Sequence, residues 1–83
     1  MAHIGIDGFA RSQDRDLKIS KDISGLFSTD GGREVLRYLR SITIEAVAGG
    51  NISDAELRHL EGQRYLVGLI ERRIKHAEKV KDE

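Results

Sequence analysis

The residues of this chain best equipped for chemistry are three histidines, His3, His59 and His76, and a set of arginines spread over its predicted helices. Helical metal sites need two imidazoles four residues apart, so that both aim at one ion. No pair among the three has that spacing, and the chain contains no cysteine to supply a thiolate. Serines and carboxylates are plentiful, but nothing in their spacing sets a serine beside a histidine base, as nucleophilic catalysis requires. The expectation is a chain with no catalytic residues, no metal and no cofactor.

Two other groupings carry charge chemistry. Asp30-Gly31-Gly32-Arg33 opens a predicted helix, where free N–H groups and the helix dipole could hold an anion. The sequence is not a phosphate-loop motif, and Asp30 would repel an anion, so capping is the stronger reading. Arg33, Arg37 and Arg40 recur at i, i+4 and i+7, a basic stripe that could follow a nucleic-acid backbone. Arg64, Arg72, Arg73, Lys75 and Lys79 add positive charge further on, but acids are interleaved throughout, and Glu71 precedes Lys75 by four residues. Solvated faces account for this pattern better than a binding groove does.

The elements that must position these groups are helices. Ser53 and Glu56 form a capping-box pattern that starts the longest, residues 53–81, in which Leu60, Val67 and Ile74 recur every seven residues. Gly62 and Gly68 inside it cost about 1 kcal/mol each relative to alanine, and close approach of another backbone would offset that. An earlier helix spans residues 12–27, with Ser12 or Asp14 as cap and Ile19, Ile23, Leu26 and Phe27 on one face. The segment Arg11 to Asp16 reads as a charged hinge leading into it. Ser28 to Gly32 breaks the chain, and a further helix over residues 31–48 carries Val35, Leu36, Leu39, Ile42, Ala46 and Val47 on its apolar stripe. The β-branched run Ile42-Thr43-Ile44 lowers helix propensity there. Gly49-Gly50-Asn51 turns the chain into the long helix. Residues 1–11, with Ile4, Ile6 and Phe9 between glycines, read as an extended N-terminal arm suited to docking.

Composition sets the limits around this all-α reading: a small three-helix domain, residues 12–83, with a long C-terminal helix and an N-terminal arm. With 83 residues there is room for one domain and a modest core. Fourteen basic and fourteen acidic residues leave no net charge, which disfavours a strongly electrostatic nucleic-acid binder. No apolar run approaches the ~20 residues of a membrane span, and no secretory segment is apparent, so a cytoplasmic protein is expected.

Helix lengths give one geometric expectation. A helix of about 17 residues spans about 26 Å and one of about 28 residues about 42 Å. If the second helix runs back along the third, at least two turns of the third lack a partner, and Ile74, Ala77 and Val80 lie there. With Ile4, Ile6 and Phe9 they are the residues expected to meet another chain.

Two short patterns carry a family resemblance: Phe27-x-x-x-x-Gly32-Arg33-x-Val35-Leu36-x-x-Leu39, and Glu61-Gly62-x-Arg64 followed by Val67 and Ile70. Between residues 27 and 74 the chain resembles a family of small proteins of tailed bacteriophages and prophages, encoded among packaging, portal and head genes. The second motif often carries adjacent arginines, and Gln63 removes the basis for that paired contact here. The resemblance implies a non-enzymatic protein of virion assembly or structure, a helical adaptor or minor head or connector component. Its partners would be portal, connector or head proteins and further copies of itself, and its location the virion, after assembly in the host cytoplasm. Glu61, Gly62 and Arg64 would then serve packing and ion pairing. Two other roles remain open: a DNA-binding packaging accessory using Arg33, Arg37 and Arg40, and a phage-encoded inhibitor of a host protein.

Overall fold

The computed structural model describes residues 3–81, with the backbone alone for residue 81; the ends of the expected arm and domain, residues 1–2 and 82–83, lie outside the described residues. The order of elements is β1 (His3–Ile4), β2 (Ala10–Arg11), α1 (Gln13–Phe27), α2 (Asp30–Ser41) and α3 (Asp54–Lys81). The fold is predominantly α-helical, with three helices and one short strand pair.

The N-terminal arm is a hairpin folded back on itself and not a stretched segment. His3 pairs with Arg11 and Ile4 with Ala10 in antiparallel register. Gly8 closes the turn by donating its N–H to the Gly5 carbonyl at 2.9 Å. It does so at φ +86°, a conformation that glycine alone adopts without cost. The Asp7 carboxylate accepts the Phe9 N–H at 3.0 Å and holds the turn from inside.

The helix starts follow the caps written in the sequence. Ser12 accepts the Arg15 N–H at 3.1 Å, and Thr29 accepts that of Gly32 at 2.9 Å. Ser53 accepts that of Glu56 at 3.1 Å while its hydroxyl donates to the Glu56 carboxylate at 3.1 Å, closing the box at the start of α3. Gly32 sits at the tight corner between α1 and α2, where an added Cβ would strike the Leu26 carbonyl and lie 2.8 Å from Phe27 Cα.

α2 is shorter than its apolar periodicity suggests: it ends at Ser41, not at residue 48. At the β-branched run the chain leaves the helix in turns, with Glu45 N–H returning to the Arg40 carbonyl at 3.0 Å. Side chains take over the carbonyls that the helix would have satisfied. Ser41 donates to Tyr38 O at 2.6 Å and Thr43 to Leu39 O at 2.6 Å. From α3, Arg64 donates to the carbonyls of Thr43 at 2.8 Å and Ala46 at 2.6 Å, fixing the loop on the long helix.

Truncation of α2 changes the packing. At 12 residues it spans about 18 Å, and it meets α3 far less extensively than α1 does. The main partner of α3 is α1, laid against its C-terminal half. Of the residues expected to overhang, Ala77 lies against α1 and Val80 beside the hairpin. Among the described residues the buried apolar side chains are Val67 and Ala77, and the buried polar ones are Asp16, Ser20, Thr43 and Arg73. The molecule measures 46 × 35 × 16 Å with a radius of gyration of 15.1 Å, against about 12 Å for a compact chain of this length.

Candidate interaction surface

Asp16 and Arg73 form a buried ion pair between α1 and α3, and both depart from their expected places. Asp16 belongs to no exposed hinge and Arg73 to no solvated face; they are 1% and 2% exposed. Arg73 Nη1 donates to Asp16 Oδ1 at 2.8 Å, to the Asp16 carbonyl at 2.9 Å and to Ser20 Oγ at 3.0 Å. Its Nη2 reaches Asp7 Oδ2 at 3.1 Å. Arg11 bonds the other oxygen of Asp7 at 2.6 Å and lies 3.7 Å from Asp16. Two carboxylates and two guanidiniums thus clamp hairpin, α1 and α3 together. The Asp7 carboxyl is held far below the usual carboxylate range, first by the Arg11 hydrogen bond, then by the Phe9 N–H and the two arginine charges, with desolvation opposing them. The same bond raises Arg11 above its ordinary value.

This cluster contains a serine beside a histidine, a pairing that sequence spacing did not reveal. Ser20 Oγ lies 2.7 Å from His76 Nδ1, across 56 residues of chain. Ser20 Oγ also accepts from Arg73, and the histidine tautomer sets which of Ser20 and His76 donates to the other. Ser20 is fully buried, so the pair joins α1 to α3 and presents no nucleophile at the surface. Among the described residues no group of three His, Asp or Glu side chains is placed to hold a metal ion. No helix among them is long and apolar enough to cross a membrane.

The residues expected to meet a partner divide. Ala77 is buried within the chain. Ile74 is half-buried. Ile4, Ile6 and Val80 come together around a shallow cleft of about 320 Å³ that His76 and Leu17 also line, so the hairpin covers the end of α3. Ile4 and Phe9 nonetheless remain open, at 61% and 67% exposure, and the Arg11 guanidinium lies 5.7 Å from the centre of the Phe9 ring.

The arginine stripe is interrupted. Arg40 bonds both oxygens of Glu71, at 2.7 and 2.5 Å, and Glu45 at 3.2 Å. These bonds, Glu71 foremost, raise its pKa above the ordinary arginine value. Arg33 lies 3.6 Å from Asp30, and Arg37 bonds Glu34. The expected pairing of Arg64 with Glu61 is present at 2.6 Å, on the surface. The close backbone approach expected at Gly62 and Gly68 does not occur within the chain, where an added Cβ at either would meet nothing within 4 Å.

A different apolar surface appears, one that the length argument missed. Val35, Tyr38 and Ile42, at i, i+3 and i+7 along α2 and its end, are 52%, 61% and 48% exposed. On α3, Leu66 continues toward the N-terminus the face that carries Leu69, Arg73 and Ala77 under α1, yet it is 60% exposed. α1 stops covering α3 before it reaches Leu66. The signal was in the sequence, as an apolar stripe on a helix whose neighbour is too short.

Neither a curated protein nor a solved structure matches the chain. Residues 23–82, which take in the last turns of α1 and all of α2 and α3, match the family described as Bbp19-like phage protein. The match takes in Arg73, His76 and the exposed α2 and α3 faces, and leaves out the hairpin. This chain is a member of the Bbp19-like phage protein family.

Proposed function

We propose that this phage protein is a non-enzymatic component of virion assembly or structure, a small helical adaptor or minor head or connector protein that works by protein–protein contact. The observation that carries this reading is the hairpin tip. Phe9 beside the turn and Ile4 on β1 are exposed on a hairpin that the Asp7–Arg73 ion pair ties to α3. A preorganised apolar projection suits docking on a larger ring, such as a portal or connector, where every copy repeats one contact.

The test is made in the phage. Particles and assembly intermediates purified from infected cells should contain the protein by mass spectrometry. Phe9→Asp should remove it from them while the purified variant keeps the wild-type circular dichroism. If the protein is absent from particles and from every intermediate, the reading fails.

A further inference from the structure

Arg72, Lys75 and Lys79 stand at i, i+3 and i+7 on the outer face of α3, and all three are exposed. In the sequence, acids are interleaved with them, but the folded chain engages those acids elsewhere. Between residues 66 and 81 the acids are Glu71 and Glu78. Both oxygens of Glu71 are bonded by Arg40 from the α2 side, and Glu78 lines a groove against α1 together with Lys21. The ion pairs of α3 among the described residues use Glu61, Arg64, Glu71 and Arg73, and none uses Arg72, Lys75 or Lys79. What remains on the outer face is a row of three cations about 10 Å long.

The rest of this face selects the occupant. The same spacing carried toward the N-terminus gives Gly68 and Tyr65, so no aliphatic side chain lies in the row. A protein or a membrane would find no apolar centre to bury here, which contacts of both kinds use. A phosphate backbone needs none, because its binding is driven by the release of condensed counterions. Tyr65 offers no open stacking platform for a single strand either, since the Arg72 guanidinium already lies 5.5 Å from the centre of its ring. We infer that the Arg72–Lys75–Lys79 face of α3 binds the phosphate backbone of duplex DNA without reading its sequence. The row is about as long as the axial rise over three phosphates of one strand. Because the chain carries no net charge, the attraction is local to this face and short in range, screened over about 10 Å at 0.1 M salt. The inference does not rest on the virion role, whose contact surface is the hairpin.

Fluorescence anisotropy of the full chain with a labelled duplex of about 20 base pairs tests it. Affinity should fall about 40-fold between about 50 and 200 mM salt, the dependence set by three phosphate contacts. Arg72→Gln, Lys75→Gln and Lys79→Gln combined should weaken binding about tenfold or more at the lower salt, with unchanged circular dichroism. Lys79→Gln alone should reduce the log–log salt slope by about 1, and it decides the matter if the triple variant fails to fold. Arg33→Gln with Arg37→Gln, on α2, should weaken binding far less. Absence of binding at the lower salt overturns the inference, as does binding that the triple variant retains. An equal loss in the α2 variant would show that overall charge alone matters, and tighter capture of a single strand or of poly-glutamate would give the face to a different partner; either result also overturns it.

Discussion

The two halves of α3 are one continuous helix with opposite surroundings. Around Arg73 and His76 the helix is held by hydrogen bonds from two other elements, and its buried partners are charged. Toward the other end Leu57, Tyr65 and Leu66 are open to solvent among charged and polar side chains. Charge is buried at one end of the helix and hydrocarbon is exposed at the other. A charged interior fixes geometry, because a guanidinium with four oxygen contacts tolerates few alternative packings, while it contributes little net stability. An apolar exterior supplies association energy and little geometric restraint of its own. The C-terminal half of α3 therefore sets how hairpin, α1 and α3 pack together.

The largest expected effect breaks the ordered half. Arg73→Leu removes the cation between Asp7 and Asp16 and leaves the Asp16 carboxylate buried with Arg11 at 3.7 Å as its nearest charge. Loss of one partner from a buried ion pair costs about 3–5 kcal/mol. For a domain of this size that is a large share of the total, and urea denaturation should show the loss directly. Replacing Asp7, Asp16 and Arg73 together by uncharged residues of similar volume should recover much of it, because the one charge left without a partner, Arg11, is partly open to solvent.

How much of this was legible in the residues depends on how far apart the partners lie. The starts of all three helices were readable to within a residue or two, from Ser12 or Asp14, Thr29 or Asp30, and Ser53, because a cap and its N–H are three residues apart. The end of α2 was misread because Ile42, Ala46 and Val47 prolong the apolar period through a segment whose backbone has left the helix. The ion network joins Asp7 and Asp16 to Arg73 across most of the chain, and interleaved charges around each made both ends look solvated. One local hint existed. Asp16 and Ser20 precede Ile23 and Phe27 at i, i+4, i+7 and i+11, so two polar residues occupied core positions of α1. Arg73 does the same between Leu69 and Ala77 on α3. Polar residues in register on two apolar stripes are a pattern to read as a buried pair.

Acid should sharpen the comparison by loosening the ordered half first. The Asp7 pKa in the folded protein lies below its unfolded value, so its ionised form stabilises the fold fully above about pH 4. That contribution is lost as the pH falls through the unfolded value toward the depressed folded one. Asp7→Asn should be less stable than wild type near neutrality, and the difference should vanish in strong acid. Hydrogen exchange locates the effect: the Gly5 and Gly8 amides, bonded across the hairpin turn, should lose protection in the variant at neutral pH. Unchanged protection would show that the hairpin is held by the Ile4, Ile6 and Val80 contacts and not by its ion pair.

The smallest effect uses the same substitution in each half, with opposite signs. At Gly5, an added Cβ would strike the Asp16 carboxylate and lie 3.0 Å from the Arg11 guanidinium, in the middle of the ion network. Gly5→Ala must therefore push the hairpin off α1, and it should destabilise the protein. At Gly62 the same methyl meets nothing within 4 Å, and alanine is favoured over glycine in a helix interior by about 1 kcal/mol. Gly62→Ala should therefore raise the melting temperature, and a loss instead would show that a second backbone comes against Gly62 in solution.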